Sequence, residues 1–400
     1  MLKVLFKSYK SKLKNSITSS ASKILYGTLS IKFPDGEIHS FEGKFPGPNA
    51  NLEIKDWSVI SNYTAKGSIG FGSDYINNLW ESGNLPDILA LITLNENAFG
   101  QYFFGNIFYK IIYQLLYFLK PNSILGSYRN VTYHYNLSNN FYRLWLDESM
   151  TYSSALFSGN ENLSLEEAQQ AKHNRILNKL NISPKESVLD IGCGWGACTE
   201  YLVEKGINVT GITLSEPQMQ YAIDRIAKIS TDGKAIIKLL DYRKLTGIFD
   251  YIISIGIFEH VGTRYWQTYF KKIAMHLKKG GKAMIQTIVV DESLANKASK
   301  NTSGFMQYYI FPGGSLPSHT DFINEANKAG LTCTESFAFG QDYAITLKHW
   351  LSRFDSQLLK IRKLGFSEKF IRCWRLYLSY ARAGFLSNII NVVQFELQHR

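Results

Sequence analysis

The sequence is poor in the features that mark disulfide-stabilised, metal-binding or membrane-spanning proteins. Its four cysteines in 400 residues lack the spacing of a disulfide framework or of a zinc site, so we expect a reduced, cytoplasmic protein without a metal. The longest weakly charged segment, 98–119, is interrupted by polar side chains, whereas a membrane-spanning helix needs ~20 mainly apolar residues. We therefore expect a core or interfacial helix in that segment.

Acidic residues are the minority of the charged ones. The chain has 33 Asp and Glu against 44 Lys and Arg, a formal net charge of +11. A positive protein is attracted to nucleic acid or to anionic lipid headgroups, but no nucleic-acid-binding motif is present. Residues 1–15 carry five lysines among apolar side chains, which indicates an interfacial basic helix or a solvated tail. The apolar run there is too short for a secretory signal.

The part of the chain before residue 120 predicts a small α+β domain. Alternating runs at 27–33, 38–41 and 51–57, with a turn at 34–36, are typical of strands joined by hairpins. A helix is predicted over about 86–95. This part contains no recognisable cluster of catalytic residues.

After residue 121, strands alternate with helices, which predicts a doubly wound α/β fold with a parallel sheet. Ser164 and Glu167 form a capping box that opens a helix ending at Leu180. Another helix starts near Arg264, and we expect the pair Gly280–Gly281 to cap it. The predicted strands are 187–190, 208–212, 235–240, 251–255 and 282–290.

The turn that follows the first of these strands is rich in glycine. Gly192, Gly194 and Gly196 allow the backbone to approach a ligand closely, and such a turn also suits a dinucleotide. Asp190, just before the turn, suits a cationic amino-acid ligand better than a pyrophosphate, and the strand ending at 211–215 offers no clear ribose-binding acid. The turn therefore favours S-adenosylmethionine over a nicotinamide cofactor, with a purely structural turn as the remaining alternative.

Six sequence blocks carry a resemblance to a known family. They are 133–141, 151–157, 188–196, 255–262, 309–318 and 342–350. In this order they resemble the cyclopropane-fatty-acyl-phospholipid synthase family and its mycolic-acid methyltransferase relatives, and residues 45–48 and 70–75 more loosely resemble that family's amino-terminal domain. The resemblance implies a lipid-associated α+β domain over 1–125. A Rossmann-like class I methyltransferase domain would follow over 126–400, with a lid inserted near 293–317.

The resemblance also implies, by position, which residues hold S-adenosylmethionine. They are Tyr152 and Ser153 at the amino-acid end, Gly192 and Gly194 as its floor, Thr213, Leu214 and Gln218 at the ribose, Asp241 and Tyr242 at the adenine, and Ile255 and Gly256 beside the sulfonium. Asp190 joins this set through its place before the glycine turn.

A bound bicarbonate is implied as the base of a cyclopropane-forming reaction. Its ring of ligands would be Ser154, Glu259, Gln286, Ile288 through its backbone, and Tyr343. Ser154 and Gln286 depart from the family, which has cysteine and histidine at these places. Serine and glutamine keep a hydrogen-bond donor, but a glutamine amide cannot accept charge as histidine does.

The expected function is transfer of a methylene group from S-adenosylmethionine to the double bond of unsaturated phospholipid acyl chains, forming cyclopropane rings. The expected partner is an anionic membrane surface, bound peripherally from the cytoplasm. No nucleic-acid partner is expected, and a homodimer is left open. The alternatives are a methyl-branched or methylene product, a small-amine N-methyltransferase, and a lipid-binding protein that has lost catalysis.

The segment 368–385 has apolar residues at helical spacing with basic residues between them. The pattern predicts a helix that packs on the core and presents a basic face outward, or alternatively toward a membrane.

Overall fold

A computed structural model describes residues 2–103, 137–293 and 304–400. The chain divides into two compact units. The described part of the first unit comprises 2–103, 304–310 and 362–387, and that of the second comprises 137–293, 311–361 and 388–400. The predicted domain boundary at 125/126, most of the segment 98–119 and part of the predicted lid lie outside the described residues.

The first unit contains a four-stranded sheet in the order β2-β1-β3-β4. Its strands are β1 (Tyr26–Lys32), β2 (Ile38–Glu42), β3 (Phe45–Ile54) and β4 (Trp80–Glu81). The third strand begins six residues earlier than the run predicted at 51, because 45–50 pair in parallel with β1. The two strands meet closely at Gly27, where a Cβ would lie 2.2 Å from the carbonyl oxygen of Pro48.

Helices α1 (Leu2–Ala21), α2 (Ser58–Ile76), α3 (Leu85–Leu94) and α4 (Glu96–Phe103) complete the amino-terminal part of this unit. The basic segment at the start of the chain is therefore helical, and Ile17 and Ala21 near its end are buried. Helix α2 was not predicted, since its glycines and serines are poor helix formers. It breaks at Gly67, where φ is 60° and ψ is −148°.

The helix near the carboxyl terminus, α14 (Glu368–Leu386), also belongs to the first unit, where it packs against α2 and α3. Its helical form was predicted, but the outward basic face was wrong for Arg372. That guanidinium donates hydrogen bonds to the carbonyl oxygens of Tyr75 at 2.6 Å and Trp80 at 3.2 Å. It also pairs with Glu81 and lies 4.0 Å from the ring centroid of Tyr75. The side chain is 14% exposed because these acceptors compensate for the lost hydration.

The second unit is built on a seven-stranded sheet in the order β10-β11-β9-β8-β5-β6-β7. The strands are β5 (Ser187–Ile191), β6 (Asn208–Thr213), β7 (Ala235–Leu239), β8 (Phe249–Ile255), β9 (Leu277–Val290), β10 (Leu331–Ala338) and β11 (Ile390–His399). Strands β5 to β9 are parallel, whereas β11 is antiparallel to both its neighbours. The doubly wound α/β fold predicted from the sequence is confirmed.

Helices cover both faces of this sheet. They are α5 (Asn139–Tyr142), α6 (Leu165–Leu180), α7 (Ala197–Glu204), α8 (Glu216–Ile226), α9 (Phe258–Val261), α10 (Trp266–His276), α11 (His319–Lys328), α12 (Gly340–Ser356) and α13 (Leu358–Lys363). The predicted capping box of Ser164 and Glu167 opens α6. Successive residues of β9 enter different core clusters, Met284 beside α6 and α7 and Ile285 beside α10 and α11.

The predicted role of Gly280 and Gly281 was wrong. Helix α10 ends at His276 and β9 begins at Leu277, so both glycines lie within the strand. A Cβ on Gly281 would lie 2.2 Å from the carbonyl oxygen of Asp250. Glycine is needed because β8 and β9 approach closely where their register shifts.

None of the helices within the described ranges is both long enough and apolar enough to cross a membrane.

Replacing Arg372 with Met should lower the free energy of unfolding by about 2 kcal/mol. The change leaves the buried carbonyl oxygens of Tyr75 and Trp80 without their charged donor and leaves Glu81 with only Lys55, at 3.6 Å, as a cationic partner within the described residues. Urea unfolding followed by circular dichroism measures the effect, and Lys369→Met, an exposed position on the same helix, is the matched control. Equal stability of the two variants would show that Arg372 contributes nothing beyond its helical position.

Candidate active site

A cavity opens at the carboxyl ends of β5, β6 and β8, with an empty space of about 1170 Å³ that includes its open mouth. All twelve residues predicted to hold the cofactor line it: Tyr152, Ser153, Asp190, Gly192, Gly194, Thr213, Leu214, Gln218, Asp241, Tyr242, Ile255 and Gly256. Ligands of doubly wound sheets bind at this edge. The fold has therefore brought five separate stretches of sequence to one place.

The glycine turn after β5 forms one wall of the cavity. Gly192, Gly194 and Gly196 have φ values of 77°, 55° and 86°, which other residues adopt only with strain. A Cβ on Gly192 would lie 2.1 Å from Cδ1 of Ile257, whereas a Cβ on Gly194 would meet no atom within 4 Å. The first glycine is thus required by packing, and the second leaves room for a ligand against its backbone.

Asp190 supplies a buried carboxyl at the start of this turn. It is 2% exposed and accepts a hydrogen bond of 2.8 Å from the hydroxyl of Thr199. Burial raises the pKa of Asp190 to about 6, although the Thr199 hydroxyl opposes the rise. A cationic group in the cavity would favour the ionised carboxylate and so be attracted to it.

The loop that carries Tyr152 and Ser153 is fixed from helix α6. The side-chain amide of Gln169 donates to the carbonyl oxygen of Ser153 at 2.9 Å. The ammonium of Lys172 donates to the Ser153 hydroxyl at 2.8 Å and to the Gln169 amide oxygen at 2.7 Å. Lys172 is fully buried, and burial lowers its pKa to about 7 while the nearby Asp147 carboxylate opposes this.

Arg225 on α8 joins this loop to the glycine turn. Its guanidinium donates to the carbonyl oxygen of Ser149 at 2.7 Å and to that of Trp195 at 3.1 Å. It also pairs with Glu200 at 3.1 Å, and its side chain is only 10% exposed. Two walls of the cavity are therefore held together by one cation.

Tyr152 lies within a cluster of aromatic rings. Its ring centroid is 5.5 Å from Tyr142, 5.3 Å from Trp145 and 5.2 Å from Trp350. Tyr142 in turn contacts Trp195, at 4.8 Å, whose indole donates to Asn139. These ring contacts fix the position of Tyr152 beside the glycine turn.

The opposite end of the cavity is set by two polar pairs at the ends of β6 and β7. The Thr213 hydroxyl donates to the amide oxygen of Gln218 at 2.9 Å, which turns the Gln218 amide nitrogen the other way. Arg243 binds both carboxylate oxygens of Asp241, at 2.8 and 2.6 Å. Both pairs orient polar side chains that line the cavity.

Glu259 lies on the short helix α9 that follows β8. Its carboxylate accepts a hydrogen bond of 2.8 Å from the Thr287 hydroxyl and is 9% exposed. Burial raises the pKa of Glu259 to about 7, with Thr287 opposing the rise. An oxygen of this carboxyl lies 3.8 Å from where a Cβ on Gly256 would be, so it adjoins the cavity wall predicted to face the sulfonium.

None of the five predicted catalytic residues is among the residues that line the cavity, and within the described residues Ser154, Glu259 and Gln286 make no hydrogen bonds with one another. The Ser154 hydroxyl donates to the carbonyl oxygen of Ala155 at 2.9 Å. The Gln286 amide oxygen accepts from Gln394 at 3.0 Å. Tyr343 on α12 packs edge-on against Trp350, and Ile288 lies on β9 two residues after Gln286.

The segment that carries Ser154 is attached to α12, the helix of Tyr343. The Asp342 carboxylate accepts from the backbone N–H groups of Phe157 and Ser158, at 2.7 and 2.9 Å. The Ala155 N–H donates to the Thr346 hydroxyl at 3.0 Å. Because Asp342 is buried, these bonds fix the path of the backbone beside Ser154.

Several residues of the site were missed by sequence reasoning. Lys172 and Arg225 lie on amphipathic helices, where a basic residue is usually solvated, and nothing in the sequence marks their long-range bonds. His173 and His260 also line the cavity. Burial lowers the pKa of His260 to about 4, so it is a neutral wall residue near pH 7.

The residues present fit S-adenosylmethionine. Space lies open against Gly194, an isolated buried acid stands at one end of the cavity, and oriented amide and carboxylate groups stand at the other. An extended ligand with a cationic amino-acid end and a polar nucleoside end matches this order.

Comparison with known proteins gives a consistent picture. The family profile "Mycolic acid cyclopropane synthetase" matches residues 124–395. The tuberculostearic acid methyltransferase of Mycobacterium tuberculosis is 32% identical, over 83% of this chain and 79% of that protein. The cyclopropane-fatty-acyl-phospholipid synthase of Escherichia coli K12 is 32% identical, over 86% of this chain and 87% of that protein. The crystal structure of a mycolic acid cyclopropane synthase complexed with SAH and CTAB superposes with a TM-score of 0.64 at 32% identity, covering 68% of this chain and 98% of that one.

Replacing Lys172 with Met should weaken S-adenosylmethionine binding about tenfold, since Ser153 and Gln169 lose the charge-assisted hydrogen bonds that fix their loop. Isothermal calorimetry measures the affinity. Lys179→Met, on the same helix but with its side chain 44% exposed, should leave the affinity unchanged. An unchanged affinity in the Lys172 variant would exclude the loop contact as a determinant of binding.

Proposed function

This chain belongs to the mycolic acid cyclopropane synthetase family of S-adenosylmethionine-dependent methyltransferases, and we propose that it adds a methylene group to the double bonds of unsaturated phospholipid acyl chains, forming cyclopropane rings. The observation that carries the proposal is the buried carboxyl of Glu259 beside the Gly256 wall of the cofactor cavity. This reaction needs a proton acceptor that is kept from water at that wall.

The cavity residues divide the binding of the cofactor among them. Asp190 and Ser153 would hold its amino-acid end, Gln218 its ribose and Asp241 its adenine. When bound, S-adenosylmethionine supplies a methyl group that is electrophilic because it is attached to a sulfonium. The chain's part is to orient that group toward Gly256 and to keep water out, since water would trap the cation that forms on the lipid.

Glu259 is the group proposed to accept the proton that is lost when the ring closes. Its raised pKa of about 7 leaves a substantial fraction ionised at neutral pH, and a base with a pKa near the working pH is the most effective. A bicarbonate at this place would supply a further base, and the Gln286 amide nitrogen is the donor best suited to hold it. Within the described residues that nitrogen has no partner, whereas the Ser154 hydroxyl already donates to Ala155.

Gln286 also supports a second class of product, a methyl-branched or methylene chain. Gln286 cannot take up a proton as the family's histidine can, so slower removal of the proton would leave the lipid cation time for a 1,2-hydride shift, after which loss of a methyl proton gives a methylene chain. A saturated methyl branch would form instead only if a hydride donor, such as a reduced nicotinamide or flavin, were supplied to the cation. A small-amine substrate has no such support from a particular residue.

The membrane surface is proposed as the place of action. The net charge of +11 favours anionic lipid, and α1 places its lysines on a helix that starts the first unit. We expect peripheral binding from the cytoplasm.

The function is tested by incubating the purified protein with S-adenosylmethionine and mono-unsaturated phosphatidylglycerol vesicles. Mass spectrometry should show lipid that is one CH2 heavier, and proton NMR should show cyclopropane signals. Phosphatidylcholine vesicles with the same acyl chains are the control for charge and should react more slowly. A heavier lipid without cyclopropane signals would identify the second product class. No heavier lipid from either vesicle would refute lipid methylation.

Replacing Glu259 with Gln should reduce kcat at least about 100-fold, because the proton acceptor is lost, while S-adenosylmethionine affinity stays within about twofold. In the unchanged protein, kcat should rise with pH through about 7 as the carboxyl ionises. The exposed Glu204→Gln is the control. A Glu259 variant with normal turnover would remove this residue from the mechanism.

The same variant has a second, independent readout in stability. Glu259 is protonated in the folded protein up to about pH 7, but in the unfolded chain it ionises above about 4.3. Its burial therefore costs stability increasingly as pH rises between these values, reaching about 3 kcal/mol. Glu259→Gln should be more stable than the unchanged protein at pH 8 and gain little at pH 5.

A further inference from the structure

Three polar side chains from different elements are linked by hydrogen bonds in the interior of the second unit. One of them, Gln286, precedes in sequence Thr287, the residue that binds Glu259. Arg175 lies on α6, Gln394 on β11 and Gln286 on β9. A guanidinium nitrogen of Arg175 donates to the amide oxygen of Gln394, and the amide nitrogen of Gln394 donates to the amide oxygen of Gln286 at 3.0 Å. The two glutamines are direct partners in the register of β9 and β11 and are 2% and 1% exposed.

Arg175 fixes the direction of donation along these three hydrogen-bonded side chains. A guanidinium has only donors, so it selects the oxygen of Gln394 and leaves the Gln394 amide nitrogen on the other side. That nitrogen selects the oxygen of Gln286 in the same way. The NH2 group of Gln286 must then point away from Gln394, and within the described residues it has no partner.

Arg175 is itself held in place by several contacts. Its other terminal nitrogen donates to the Glu335 carboxylate at 2.8 Å, which Lys179 also binds at 2.7 Å. The guanidinium lies 3.9 Å from the ring centroid of Phe337, and the side chain is 13% exposed. A cation fixed in this way can impose an orientation on a neighbouring amide, whereas a glutamine amide alone fits equally well either way round.

Gln286 also lies at the right place in the fold to act on the reacting end of the cavity. It pairs with Ile255, the last residue of β8 and part of the cavity wall. The next residue, Thr287, points to the opposite face of the sheet, where its hydroxyl binds Glu259. The backbone oxygen of Gln286 accepts from the N–H of Gly256 at 2.9 Å. The backbone of Gln286 is thus hydrogen-bonded to the cavity wall at Gly256, and Gln286 precedes Thr287, the residue that binds the Glu259 carboxyl.

We propose that Arg175, acting through Gln394, is a positioning residue that keeps the NH2 group of Gln286 turned toward the reacting end, where it donates to the anionic base. The proposal rests on the proposed function above. It explains how a neutral glutamine serves where the family has histidine, because its donor is kept in one direction by a buried charge. The competing interpretation is that the three side chains only satisfy one another's hydrogen bonds across the sheet.

The substitution Gln394→Glu separates the two interpretations. A carboxylate keeps the size of the side chain and pairs with Arg175, but it has only acceptors. Gln286 must then turn its NH2 group toward the new carboxylate and present its oxygen to the reacting end. We expect kcat to fall about 100-fold, as when one donor to a reacting anion is lost, with the affinity for S-adenosylmethionine and the KM for lipid within about twofold.

Two further variants keep the test decisive if folding is affected. Gln394→Met removes the hydrogen bond to the Gln286 amide without reversing that amide, and it should lower kcat by only about threefold to tenfold. We therefore expect kcat to decrease from the unchanged protein to Gln394→Met and again to Gln394→Glu. Adding Gln286→His to Gln394→Glu should restore kcat at least tenfold, since an imidazole can donate to the carboxylate through one nitrogen and face the site with the other. A Gln394→Glu variant as active as the unchanged protein, or one that Gln286→His does not rescue, would overturn the proposal.

The orientation can also be measured without any turnover, which distinguishes this proposal from the proposed function. In protein labelled with 15N-glutamine, the side-chain protons of Gln394 should be protected from exchange and those of Gln286 should exchange faster. In Gln394→Glu the Gln286 protons should become protected. If the unchanged protein modifies no lipid but this pattern appears, the proposed function fails and the orientation stands. If Gln286 exchange does not change, the orientation fails whatever the activity.

Discussion

The site depends on a steric constraint at the end of β5. Gly192 has a positive φ, and any side chain there would overlap Ile257, which follows the neighbouring strand β8. The turn and the β8 loop can therefore approach each other only through glycine. The cavity, its open wall at Gly194 and the placement of Glu259 on the helix after Ile257 all follow from this approach.

Around that turn the fold buries ionisable groups and gives each a small number of partners. Asp190 has Thr199, Glu259 has Thr287, and Lys172 has Ser153 and Gln169. None of these partners is an opposite charge in direct contact, so desolvation dominates and moves the pKa values toward neutrality. Ion pairing would have had the opposite effect on the acids. The site therefore contains groups that can change protonation state near pH 7.

Much of the cavity lining was predictable because its residues belong to continuous motifs at strand ends. All twelve predicted residues line the cavity, and the parallel part of the sheet follows from the alternation of strands and helices, whereas β10 and β11 were not predicted. Lys172, Arg225 and Gln394 could not be predicted, since their partners on other elements are 19 to 219 residues away in the sequence. Their helices and strand show only amphipathic or alternating patterns.

Local helix and turn propensities also gave wrong predictions where packing against residues distant in sequence decides the structure. Helix α2 is rich in glycine, yet a Cβ on Gly72 would lie 2.4 Å from the Phe305 ring, so a small residue is needed there for packing. Gly280 and Gly281 have the composition of a helix cap, but they lie within β9, and Gly281 permits its close pairing with β8. In both cases the glycine reflects a neighbour distant in sequence, which a single sequence does not reveal.

The order in which the chain contributes to its two units has a consequence for synthesis. The described residues alternate between the units in six segments, three in each. Helix α14 completes the first unit from near the end of the chain, and β11, the last strand, lies between β9 and β10 inside the second sheet. Each unit can therefore be completed only after segments of the other unit have been synthesised. A stop codon that removes only β11 would leave a gap inside the second sheet rather than a shortened edge, and β10 would lose the strand with which it pairs.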